Sequence, residues 1–252
     1  MFLIIIVYIA CVVFPLLFWS LIVKRVDSDN TEPVKLLLLT FGLGIGAAFL
    51  AMWVNGVASF LFDPKADSTL SIFFNISDNR SPATFFLAGP IEESLKLFLV
   101  YEVIYHRKEF DRIKDGVIYA IMCALGFSFL ENTSYFFQAV ATSPEIYYLI
   151  QGVVRAIAST LIHVSAASIC GWYLARAKLS GGAKKYIIVG LVLASLLHGF
   201  SNLMLVYFNL YGLALEFIVS LLVVYFILRK LKKSESYSPV ERIFVPNQGT
   251  PS

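Results

Sequence analysis

The sequence predicts an all-α fold, a polytopic membrane helix bundle of about seven transmembrane helices. Three observations predict it. Of 252 residues, 58% are hydrophobic and only 15% are charged, whereas a water-soluble domain carries about 25% charge. The mean hydropathy is +0.77. The apolar residues gather into runs close to about 20 residues, the length of helix that crosses a hydrocarbon core. Between the runs, Lys and Arg favour alternate connections.

The first run, 2–23, lacks a basic start and an A-x-A cleavage site and meets Lys24-Arg25 directly. It reads as a spanning helix rather than a removed signal peptide. The second, 34–62, is long enough to tilt or to end in an interfacial piece near Asp63-Pro64, and Gly42, Gly44, Gly46 and Gly56 suit close helix packing. The third, 84–105, contains Gly89-Pro90. Proline fits a first helical turn, so the sequence predicts a helix start at Pro90 and an irregular, covered segment over 83–89. The remaining spans are 116–141, 149–175, 186–208 and 211–228. From about Lys232 the chain is polar and ends in Pro, Gly and Ser, which predicts a loose tail over 232–252 behind one bundle over 1–231. Cys11, Cys123 and Cys170 all fall in apolar runs, and an odd number there argues against a disulfide framework.

Connections after the first, third, fifth and seventh spans hold 15 of the 20 Lys and Arg residues; the alternate ones hold only Lys65 and Arg80. Basic loops stay in the cytoplasm. The expected topology is N-terminus outside and C-terminus cytoplasmic, in the cell membrane.

Four spans carry groups that belong in water: Glu92 and Glu93, Glu131, His163 and His198. An ionisable side chain at the centre of a membrane helix costs roughly 2.5–3.5 kcal/mol on insertion scales, so such groups persist where they face each other or a wet cavity. With this topology, Glu92, Glu93, Glu131 and His198 lie about 15 Å from outer helix ends and His163 lies somewhat deeper. Lys96 follows Glu92 by four residues and Glu93 by three, so either carboxylate can meet it. His198 and Asn202 share a helix face, and Asn132 follows Glu131. Arg155 and Glu216 lie near outer ends, where snorkelling or mutual pairing is expected. Glu102 is expected at the interface and His106 in solvent.

These groups suit water-driven peptide hydrolysis. Glu92 or Glu93 takes a proton from water. His198, Asn202 and His163 bind the oxyanion or orient the water, and Glu131 is a second acid/base or positions an imidazole. Lys96 tunes the glutamate pair. A zinc variant would use His163, His198 and either Glu131 or Glu93. No H-E-x-x-H spacing supports it, and the reading favours no cofactor. Three rivals use other chemistry. A proton-coupled transporter or channel would put the Glu/His cluster in a relay, although no internal repeat is seen. A photoreceptor would need a lysine deep in the last span, and 211–228 has none. A membrane scaffold would need no chemistry at all.

Glu92-Glu93-Ser94-Leu95-Lys96 (E-E-x-x-K), Phe127 to Glu131 (F-x-x-x-E), His163, and His198 to Asn202 (H-x-x-x-N) occur in this order over residues 84–208. Together they resemble the PrsW family of intramembrane proteases, related to the CAAX-prenyl protease type II and Abi group. The resemblance implies a protease of eight or fewer spans that cuts membrane-anchored substrates near the outer face. Family members are linked to first-site cleavage of anti-sigma factors in stress signalling. CAAX-type members have E-E-x-x-x-R and F-x-x-x-H. Here the basic residue comes one position earlier and Glu131 replaces the histidine, which removes one imidazole from any metal site and favours a metal-free glutamate mechanism. The implied partners are bilayer lipid and an anchored protein substrate, with no nucleic acid.

Overall fold

The computed structural model describes residues 2–27, 31–62, 82–142 and 146–235. Described regular structure is entirely helical. In chain order it comprises α1 (Phe2–Tyr8), a π-helical turn (Ile9–Val13), α2 (Phe14–Val26), α3 (Val34–Phe62), α4 (Pro82–Val100), a second π-helical turn (Tyr101–Tyr105), α5 (Ile113–Thr142), α6 (Ile146–Leu179), α7 (Lys184–Tyr207) and α8 (Asn209–Glu235). Asp63-Pro64 and the tail beyond Glu235 lie outside the described residues; the first residues assigned to that tail, 232–235, continue α8.

Among the described residues, six spans are long and apolar enough to cross a membrane: Leu3–Val26, Val34–Ala58, Ile113–Ala141, Gly152–Leu179, Lys184–Leu205 and Leu210–Lys232. The predicted third span is helical, but it falls outside this group because Glu92, Glu93 and Lys96 sit at its middle. Its charged residues turn to the neighbouring helices, while Phe98, 55% exposed, lies on its outer face.

Five helices form a closed ring. α3 packs on α4, α4 on α7, α7 on α6, α6 on α5, and α5 back on α3. The first span lies outside against α5 and α6, and α8 lies outside against α6 and α7. α5 is the most enclosed, with 83% of its most apolar stretch buried. Its large inward side chains include Tyr119, Leu125 and Phe127. Lipid-facing Leu, Ile, Val and Phe cover α1, α2, α3 and α8, as a bilayer solvent permits.

The helix start predicted at Pro90 is corrected by the structure: α4 begins at Pro82 and runs through Pro90. The proline ring removes one donor, which frees the carbonyl of Phe86 four residues back. That carbonyl is covered by α7 at Gly199, where an added Cβ would lie 2.8 Å from the Phe86 oxygen. A Cβ on Gly89 would lie 2.5 Å from the Gly199 nitrogen. Two bare Cα positions thus let the α4 and α7 backbones touch, and the crossing fixes His198, the neighbour of Gly199.

A second polar cluster closes the end that carries the basic loops. Arg112 binds Glu32 at 2.6 Å and Asp115 at 2.7 Å. The Tyr119 hydroxyl donates to Glu32, and Lys178 donates to the carbonyls of Tyr105 and Arg107 at 2.5 and 2.7 Å. Burial pushes the Glu32 carboxyl up to about 7, against the downward pull of its Tyr119 and Arg112 hydrogen bonds.

Candidate functional site

All five ring helices point polar side chains into one interior. α4 supplies Glu92, Glu93 and Lys96, buried to 6%, 1% and 4% exposure. Lys96 Nζ donates to Glu93 Oε1 at 2.5 Å. Their spacing of three residues on one helix makes this contact local, and the flat ring of Phe127 lies 4.6 Å under the ammonium. His198 of α7 places Nδ1 2.8 Å from the same Glu93 oxygen. On α6, His163 Nδ1 lies 3.1 Å from Lys96 Nζ, and its Nε2 lies 2.9 Å from Glu131 Oε2 of α5. The two imidazoles meet edge to face with centroids 4.8 Å apart.

Hydrogen-bond partners set the tautomers. A carboxylate only accepts, so neutral His198 carries its proton on Nδ1 toward Glu93, and neutral His163 on Nε2 toward Glu131. His163 Nδ1 then accepts from Lys96. His198 Nε2 is left with a bare lone pair 3.7 Å from Glu92 Oε2, an oxygen that is buried with no hydrogen-bond partner among the described residues. Lone pairs do not attract each other. The gap calls for a water that donates to both, or for a cation.

Glu92, His163 and His198 each offer a ligand atom within 4.8 Å of the others. Two imidazoles and a carboxylate are the donor set of a zinc site with a free position. Each imidazole is backed by a carboxylate on its other nitrogen, as metal-bound histidines are. The residues therefore fit such an ion. The carboxylate differs from the sequence expectation, which put Glu131 or Glu93 in that place. Those two bind the far nitrogens of the imidazoles, so Glu92 is the one that converges.

The remaining expectations divide. Asn132 lies off the cluster: its Nδ2 donates to Thr160 at 3.0 Å and to Ser128 at 3.4 Å, clamping α5 to α6. Asn202 is half-buried one turn beyond His198 on α7. The expected pairing of Arg155 with Glu216 is not formed. Arg155 instead lies over the Tyr135 ring at 3.3 Å and reaches Glu131 at 4.0 Å, because α6 presents it to α5. Glu216 is 2% exposed and accepts from Ser220 at 2.9 Å, so it does not snorkel. Glu102 and His106 are exposed, and the three cysteines are buried and unpaired.

Two members went unread in the sequence. Ser159 donates to Glu131 Oε2 at 2.8 Å, four residues before His163 on the same face. Asn55 of α3 donates to Glu92 Oε1 at 3.1 Å. A lone amide in the long apolar run 34–62 was the available signal.

Comparison with known proteins now adds to the geometry. Residues 32–229 match the family described as PrsW family intramembrane metalloprotease. The chain is 32% identical over 223 residues to Protease PrsW of Bacillus subtilis (strain 168), covering 85% of this chain and 89% of that protein. It is 28% identical over 227 residues to Protease PrsW of Geobacillus kaustophilus (strain HTA426), covering 84% and 85%. It is 27% identical over 247 residues to Protease PrsW of Clostridioides difficile (strain 630), covering 93% of each. No solved structure matches the chain.

Proposed function

The chain belongs to the PrsW family, and from that premise we propose how this multi-pass membrane protease works: it cuts a peptide bond of membrane-anchored proteins near the outer face, with Glu92 as the reacting carboxylate. One observation carries the choice of Glu92. Its Oε2 is buried, without a hydrogen-bond partner among the described residues and turned toward a bare imidazole nitrogen, whereas Glu93 Oε1 is already shared by Lys96 and His198.

A water between Glu92 Oε2 and His198 Nε2 donates to both. As its oxygen attacks the scissile carbonyl, Glu92 Oε2 takes the proton and returns it to the leaving amine. Lys96, which donates to His163 Nδ1, offsets the negative charge that develops. Glu93 holds His198 and Glu131 holds His163, so both rings keep one orientation through the step. Asn202 lies on the His198 face as a further donor. The family resemblance extends the substrate class to single-span regulators such as anti-sigma factors.

The converging donors Glu92, His163 and His198 support a second reading, in which they hold a zinc-class ion. When bound, such an ion would lower the pKa of a water and polarise the carbonyl. In that reading Glu93 and Glu131 orient the ligands. Such an ion would take the His163 Nδ1 lone pair that Lys96 binds here, leaving Lys96 to Glu93.

Purified protein with an anchored peptide, read by mass spectrometry, tests both. Glu92→Gln should abolish cleavage while the protein still inserts and accumulates. Retained cleavage would remove Glu92 from the reaction, and proton-driven flux in liposomes with no cleavage would favour a transporter. Full activity under chelation supports the metal-free route; loss restored by zinc supports the second.

A further inference from the structure

α3 lies outside the recognised motifs, yet it enters the site. Its inward stripe runs through Ala47, Ala48 and Ala51, which are 0%, 3% and 2% exposed and pack around Phe127, Leu95 and Leu99. Small side chains let α3 approach α4 and α5 closely. Asn55 follows Ala51 by one turn on this stripe. α4 runs antiparallel to α3 in the ring, so one turn beyond Leu95 on α4 is Glu92. The close approach allows the short Asn55 side chain to reach it, and Nδ2 donates to Oε1 at 3.1 Å. Around it, Trp53, Val54 and Val57 face lipid at 50%, 43% and 56% exposure.

We propose that Asn55 is a positioning residue of the hydrolytic site, holding one oxygen of Glu92 so that the other is turned toward His198. The inference rests on the reading of Glu92 as the reacting carboxylate. Two features separate it from an ordinary helix clamp. Asn132 shows what a clamp looks like here: its amide ends on Ser128, Thr160 and the Ala156 carbonyl, none of them ionisable. Asn55 ends on a carboxylate whose second oxygen has no hydrogen-bond partner among the described residues. The donor is also neutral. A lysine in its place would bind Glu92 as an ion pair and draw both oxygens; an amide fixes the orientation and leaves the negative charge available to a water or a cation.

Two variants and one spectrum test this. Asn55→Ala deletes the donor, and Asn55→Asp keeps the shape but replaces the donor with an acceptor. Each should lower kcat by about 10- to 100-fold, the range expected for losing a hydrogen bond to a charged group. KM should stay within about twofold, because the proposal has Asn55 act on Glu92 and not on the substrate. A clamp would instead reduce the amount of folded protein and leave kcat per folded molecule unchanged, and that result overturns the proposal. Difference infrared spectra against Glu92→Gln protein isolate the Glu92 carboxylate band. The band should shift in Asn55→Ala, and an unshifted band overturns the proposal whether or not any peptide is cut. Wild-type protein that cuts no anchored peptide, with the band still shifting, refutes the hydrolytic reading alone.

Discussion

Glu92 and Glu93 are neighbours in sequence and opposites in environment. A helix turns them about 100° apart, and that rotation sends Glu93 to Lys96 and His198 and Glu92 to Asn55 and the gap beside His198 Nε2. The sequence shows that two carboxylates and two imidazoles share a depth. It does not show which oxygen is spoken for, because that depends on the rotation of four other helices. Asn55 and Ser159 were hidden for a related reason: an amide or hydroxyl in an apolar run is often only a packing group. Depth alone predicts that Arg155 snorkels or pairs with Glu216, but its partner Glu131 lies on another helix. At the loop end, Glu32 has a raised pKa, so the folded protein holds its proton more tightly than the unfolded chain. Its contribution to stability is then complete below the ordinary carboxyl value of 4.5 and is lost as pH rises through about 7. Thermal unfolding in detergent across pH 4 to 8 should show wild type losing stability relative to Glu32→Gln over that interval. Parallel curves would show that Glu32 is not held in this cluster.

At the scale of elements, the site depends on the α4–α7 crossing. Gly89 and Gly199 are in backbone contact, and the His198–Glu93 hydrogen bond lies beside them. Gly199→Ala would put a methyl 2.8 Å from the Phe86 carbonyl and 2.9 Å from the Phe86 ring. The ring can turn away; the carbonyl, on a helix already lacking one donor at Pro90, cannot. Overpacking of this kind costs about 1–3 kcal/mol, and here it also separates an imidazole from its orienting carboxylate. The expected outcome is a lower unfolding temperature together with a larger loss of kcat than of KM-weighted binding. Unchanged stability and rate would mean that the two helices are further apart in the membrane. The crossing also explains the misread helix start. Gly-Pro is a start signal in a water-soluble chain, but within a bilayer a neighbouring helix covers the freed carbonyl and the helix continues.

For the molecule as a whole, apolar length reveals the helices and motif order reveals the family, but neither reveals the ring. Ring order is set by which small residues meet, such as Gly116 with Gly171 and Gly89 with Gly199, and those contacts join helices that are distant in sequence. Orientation is where sequence and site have to agree. The basic loops include the α2–α3, α4–α5 and α6–α7 connections, and the positive-inside rule assigns them to the cytoplasm. The Glu/His cluster then lies nearer the outer face, where substrates are proposed to be cut. Impermeant thiol labelling of intact cells tests this cleanly, since Cys11, Cys123 and Cys170 are all buried. Ser180→Cys, in the basic α6–α7 connection, should label only after permeabilisation. Ser143→Cys, between α5 and α6, should label in intact cells. The reverse pattern would turn the molecule over and move the cut to the cytoplasmic side, because the cluster's depth is fixed relative to its own helices and moves with them.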